Sequence, residues 1–217
     1  MKRGRAAIAA EIEGGAQAIE RATGRRPVGF RAPGYTITDE VFSVLAEQGV
    51  RYDSSVFPCP AYWAAKAAAI GLIGLRGRRS HSVVDTPRVL GAPTRPYRVG
   101  TPYWHRGAGL LEVPVQVTRG LRLPFIGTSL TLAGPSRARW LARGVVGEPL
   151  VNLELHAVDV LDAGDGLGAI APYQPDARVS RQRKLDALAA TLEVLRDEGY
   201  AFVRLDEAAT HLATSLG

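Results

Sequence analysis

The apolar positions follow two rhythms. Ile8, Ile12 and Ile19, with alanines between them, recur at helical spacing and predict a helix over 6–22. Gly24 stops it, with Arg25 and Arg26 at the negative end of its dipole. Val28 and Phe30, between Pro27 and the Pro33-Gly34 turn, read as a short strand. Thr38 is a good N-cap for a helix with Asp39 and Glu40 in its first turn and Val41, Val44 and Leu45 as its buried stripe. Gly49 ends that helix, and residues 50–53 read as another strand. Helix, strand, helix, strand is the order of an α/β fold with a parallel sheet.

The rest of the chain gives uneven signals. Residues 58–108 are rich in Pro, Gly and Arg and read as long loops with a helix near 61–70. Residues 110–117 are strand-like, but Pro114 lacks the N–H of a ladder bond, so it marks a strand end or edge. A short helix is expected at 136–143. Residues 150–156, LVNLELH, alternate as a strand does. A Gly- and Asp-rich loop over 157–178 leads to a helix over 180–197, with Leu185, Leu188, Leu192 and Leu195 on one face and Gly199 just past its end. Residues 201–205 read as a strand, and Asp206 as the cap of a last helix. There is no internal repeat, and 1–217 reads as a single domain.

Composition narrows the class. Apolar residues make up 46% of the 217 and charged residues 22%, and the mean hydropathy is −0.01, which suits a globular chain. No stretch reaches the roughly 20 apolar residues of a membrane span. Glu11 and Glu13 interrupt the apolar part of the opening segment, so no signal peptide is read and the chain as it stands is expected in the cytoplasm. One cysteine, Cys59, makes neither an internal disulfide nor a cysteine-based zinc site. The net charge of +6 rests on 27 basic residues, of which only Lys2, Lys66 and Lys184 are lysines. They are scattered apart from Arg76, Arg78 and Arg79, and no aromatic interleaving marks a nucleic-acid surface.

Two residues stand where parallel α/β folds place their chemistry, at the C-terminal ends of strands: Arg31 and His156. The Arg31 fork suits a carboxylate; the same position also describes a solvent-exposed strand-end arginine. A histidine at a strand mouth can move protons near neutral pH; a satisfied structural histidine looks the same in sequence. Asp159, Asp162 and Asp165 lack the alternate-position pattern of a calcium loop and read as loop and cap residues, with Asp159 the nearest charge for His156. His81 and Asp85 resemble half of a histidine-pair metal motif whose second histidine is missing. His105 lies in the aromatic run 103–106, which fits a sugar subsite or surface packing, and His211 is on the last helix.

Residues 23–35, TGRRPVGFRAPGY, and 45–55, LAEQGVRYDSS, resemble the polysaccharide deacetylase family of NodB-homology carbohydrate esterases. Residues 153–159, LELHAVD, resemble that family's late motif, in matching order and separation. The resemblance implies a distorted (β/α) barrel and metal-dependent hydrolysis of the amide C–N bond of N-acetylated sugars. A divalent metal, commonly zinc, polarises the carbonyl and activates water. It further implies that Arg31 orients the base aspartate, that His156 is the general acid, that Pro33 and Tyr35 shape a groove wall, that Leu155 or Leu153 floors the acetyl pocket, and that Glu112 is another pocket residue. The family's early aspartate pair and His-x-x-x-His motif have no counterpart here, so neither base nor metal ligands are expected in this chain. The sequence thus reads as a partial barrel lacking its first strands. A non-catalytic carbohydrate-binding protein or a decayed gene product remains an open alternative. Open sheet edges predict self-association. Size-exclusion chromatography and zinc titration check this expectation: the chain should self-associate and bind no zinc tightly, and a cooperatively melting monomer holding one tight zinc would overturn it.

Overall fold

The structure, a computed structural model, describes residues 4–75, 77, 80 and 82–216. It is mixed α/β and divides into two compact units. The first comprises Met1–Pro58, Trp63–Pro114 and Val203–Gly217, and the second Cys59–Tyr62 and Val115–Phe202.

In the first unit, α1 spans Arg5–Thr23, and Gly24 closes it at φ 72°, sending its N–H to the Glu20 carbonyl. This left-handed turn is open to glycine at no steric cost. The Thr38 hydroxyl accepts the Val41 N–H and starts α2, Asp39–Glu47, which buries Phe42, Val44 and Leu45. Between and after these helices run β1, Gly29–Phe30, and β2, Tyr52–Asp53, paired in parallel. β1 and β2 sit close because position 29 has no side chain: a Cβ there would lie inside the Tyr52 ring. β3, Tyr97–Val99, and β4, Arg106–Glu112, form an antiparallel pair, and β4 joins β2 in parallel. The sheet order is β1-β2-β4-β3. Its two end strands do not pair with each other, so these residues close no barrel. Ile37, Leu45, Val56, Val89 and Tyr97 fill the core beside it. The helix expected near 61–70 is longer, α3 over Pro60–Leu75, and β3 falls in a region read as loop. β3 escaped notice because three residues around an arginine carry too little pattern.

In the second unit, α4 (Gly127–Ala133), α5 (Pro135–Arg143) and α6 (Arg181–Asp197) pack around Phe125, Leu130, Ala138, Ala142 and Val145. α6 does not bury the face its leucines suggest. Leu188 and Leu195 are inside, but Leu185 and Leu192 are 41% and 40% exposed. The inward row is Lys184, Ala187, Leu188, Ala190, Thr191, Val194 and Leu195. Lys184 turns the helix this way: its amine is buried on the carbonyls of Val158, at 2.7 Å, and Leu161. Residues 150–156 and 201–204 lie outside any helix or ladder, so neither expected strand forms. The last helix, α7, runs Leu205–Ser215 in the first unit; Arg204 is its cap residue, and Asp206 lies in its first turn, accepting the Arg204 side chain. Among the described residues no helix is long and apolar enough to cross a membrane.

The two classes of α6 leucine are separable by denaturation. Leu188→Ala should lower unfolding stability by about 2–4 kcal/mol and Leu192→Ala by less than about 1 kcal/mol in urea titrations.

Candidate functional site

The sheet of the first unit ends its parallel strands on an acidic pair. β2 finishes at Asp53 and β4 at Glu112, which are direct register partners, and neither has any exposed surface. Asp53 Oδ2 accepts the Ser55 N–H at 2.9 Å and Oδ1 the Ser55 hydroxyl at 2.8 Å. Glu112 Oε1 accepts the Val56 N–H at 2.9 Å. Among the described residues no donor meets Glu112 Oε2, so that oxygen is satisfied when it carries a proton and gives it to Asp53. Burial pushes the Glu112 carboxyl well above the usual range, and the neighbouring Asp53 charge adds to this. Burial raises the Asp53 carboxyl as well, so the two enclosed acids titrate as a pair that favours keeping a proton.

Arg31 lies just past β1. Its Nε donates to the Ser54 carbonyl at 2.8 Å and its terminal nitrogen to the Ser54 hydroxyl at 2.7 Å. Its charge acts on Glu112 and favours ionisation there, against the burial. The next residue, Ala32, gives its N–H to the Ser55 hydroxyl. So the turn 54–56 is gripped by Arg31, Ala32 and both acids. Pro33 is exposed on the following 3-10 turn, Pro33–Tyr35. The Tyr35 ring is buried edge-on to Phe57, with centroids 5.1 Å apart. Glu112, read from the resemblance as a pocket residue, sits inside the protein.

The second unit carries a separate cluster around His156. Its Nε2 lies 3.0 Å from Glu154 Oε1, and its Nδ1 3.8 Å from Asp159 Oδ2. The His156 side chain is 56% exposed, whereas the Glu154 and Asp159 carboxylates are enclosed. Asp159 Oδ2 accepts the His156 backbone N–H at 2.7 Å, and Oδ1 accepts the Thr128 hydroxyl at 3.1 Å. Burial raises the Asp159 carboxyl above its ordinary range, opposed by those bonds. A Cβ at position 127 would collide with the Asp159 carboxyl, so Gly127 makes room for it. Lys184 pins the carbonyls on either side, at Val158 and Leu161. Leu155, the residue before His156, is 49% exposed and packs over Gly127; Leu153 packs against the helix core.

The alternation over 150–156 is real but inverted. Asn152 and Glu154 are the buried residues, and Leu155 faces out. The Asn152 N–H goes to Gln116 Oε1, and the Glu154 carbonyl accepts the Gly127 N–H at 2.9 Å. Sequence reasoning passed over Glu154, Thr128 and Lys184. The available signal was Glu154 two residues before His156, since positions two apart on an extended chain share a side.

The other candidates have modest surroundings. Asp162 caps a 3-10 turn and accepts the Arg181 N–H, and Asp165 pairs with Arg181. His105 is exposed beside Trp104 in the turn between β3 and β4, and His211 is exposed on α7. His81 lies outside the described residues; Asp85 takes the Tyr103 hydroxyl at 2.8 Å. Among the described residues no three His, Cys, Asp or Glu side chains gather to hold a metal ion, and the Asp53 oxygens are already occupied by Ser55. These residues do not fit the divalent metal that the resemblance implies. Comparison with models of known families, with curated proteins and with solved structures finds no match in any of the three.

The acid pair makes a signed pH prediction. Folded Glu112 keeps its proton above the pH at which an unfolded glutamate, near 4.3, loses it. Its stabilisation is therefore full below that value and is lost as pH rises towards the folded value, at up to about 1.4 kcal/mol per pH unit. Urea midpoints between about pH 5 and 8 should fall less steeply in Glu112→Gln than in the natural chain, because the introduced amide can still accept from Val56 and donate to Asp53.

Proposed function

We propose that this chain is a hydrolase module of the polysaccharide-deacetylase type, acting on the amide C–N bond of N-acetylated sugars, with His156 as general acid. The α/β frame is read as an arc of that family's distorted barrel. The observation that carries the reading is the His156 cluster: a half-exposed imidazole between two enclosed carboxylates, within the motif that resembles the family's late one.

In the reaction, water oxygen bonds to the acetyl carbon and gives up a proton to solvent, the C–N bond breaks, and its electron pair goes to the nitrogen. That nitrogen needs a proton to leave as an amine, and an imidazole holds one near neutral pH. His156 supplies it from a ring open to solvent. Exposed Leu155 offers apolar surface to the acetyl methyl group. Arg31 is assigned no step here; its bonds to the Ser54 carbonyl and hydroxyl hold the turn beside the acid pair. No step is assigned to a metal, since among the described residues the donors do not assemble one's ligand set.

A second reading, carbohydrate binding without turnover, draws on one observation. The acids beside Arg31 are fully enclosed, so neither can touch a substrate as base. Acetate release from N-acetylglucosamine oligomers, with calorimetric binding in parallel, separates the readings. Hydrolysis should fall by about 10²–10⁴-fold in His156→Asn. Binding without acetate favours the second reading, and neither signal rejects both.

A further inference from the structure

We propose that Glu154 is a positioning residue that accepts the Nε2 proton of His156, so that Nδ1 is the nitrogen through which the proton is exchanged. The exchange itself rests on the acid role proposed above; the tautomer does not. Two nitrogens and two carboxylates meet here, and their distances separate them. Nε2 lies 3.0 Å from Glu154 Oε1, an ion-pair contact within hydrogen-bond reach once the ring turns its N–H onto that oxygen. Nδ1 to Asp159 Oδ2 is 3.8 Å, beyond that reach.

Asp159 is already committed elsewhere. One oxygen holds the His156 backbone N–H and the other the Thr128 hydroxyl. It fixes the backbone from which the imidazole hangs, while Glu154 fixes the ring. Glu154 is well placed for this, because its carbonyl is anchored by the Gly127 N–H and its side chain is 5% exposed. A carboxylate so enclosed, beside an imidazole that reaches solvent, takes the N–H that does not turn over. The neutral ring then carries its basic lone pair on Nδ1, which gains a proton before reaction and gives one up to a departing amine. The division of labour resembles a catalytic triad, in which one carboxylate selects the tautomer and the opposite nitrogen works.

Nitrogen-15 NMR of the full-length chain tests this. His156 is assigned by the imidazole signals lost in His156→Gln, and spectra are taken at a pH where the ring is neutral. The expected result is the Nε2–H tautomer, with a sharp downfield Nε2–H resonance. In Glu154→Gln the resonance should move upfield but persist, because the amide oxygen still accepts. In Glu154→Ala it should be lost to exchange with water, and acetate release should fall at least tenfold. A wild-type ring protonated on Nδ1, or a resonance equally sharp and downfield in Glu154→Gln, overturns the proposal without bearing on deacetylation. Acetate release by none of the proteins, with the tautomer as expected, overturns the acid role and leaves Glu154 as the tautomer-setting residue. Because the wild-type spectrum alone reads the tautomer, a variant that fails to fold does not remove the test.

Discussion

Two carboxyl groups enclosed side by side cannot both be charged, and the Asp53–Glu112 pair turns that constraint into architecture. The pair lies at the ends of β2 and β4, so the two acids meet across the last rung of their ladder, where a proton held by Glu112 can bridge to Asp53. Its remaining oxygens organise the turn that follows, through Ser55 and Val56. Arg31 closes the same turn from β1. Three strands that contribute only two or a few paired residues each are therefore held in register by side chains at their ends. Short ladders alone would leave that register weakly specified.

The second unit uses buried polar groups for a different purpose. There they shape a segment that forms no ladder at all. Residues 152–161 are extended or turned, yet each stretch is tied down: Asn152 to Gln116, Glu154 to Gly127, His156 to Asp159, and the Val158 and Leu161 carbonyls to Lys184. A buried ammonium is costly unless its donors are met, and here the carbonyls meeting it belong to the turn next to the histidine. The ring thus stands exposed beside polar groups, Glu154 and Asp159, that are themselves enclosed.

Much of the first unit was legible from local chemistry. Gly24, Thr38 and Gly49 mark ends and starts through local chemistry, a left-handed backbone at the two glycines and a hydroxyl cap at the threonine, and α1 and α2 follow from them. Periodicity misled where long-range contacts decide the outcome. The leucines of α6 outvote Lys184 in any count of apolar positions, but the lysine's amine fixes which side faces in. The alternation of 150–156 was visible, though not its sense, because a polar set can be the buried one when its partners come from distant parts of the chain. His156 and Arg31 could be picked out by position, whereas Glu112 meeting Asp53 depends on a strand register that no local pattern announces.

The acid pair also limits how this chain can drift. A change at position 53 or 112 to a side chain that neither gives nor takes a proton strands the other carboxyl inside the protein. Its cost then depends on what occupies the opposite position, so the two sites are epistatic. A lineage can leave this arrangement by altering both together, or by passing through an amide that keeps the hydrogen bond while giving up the charge.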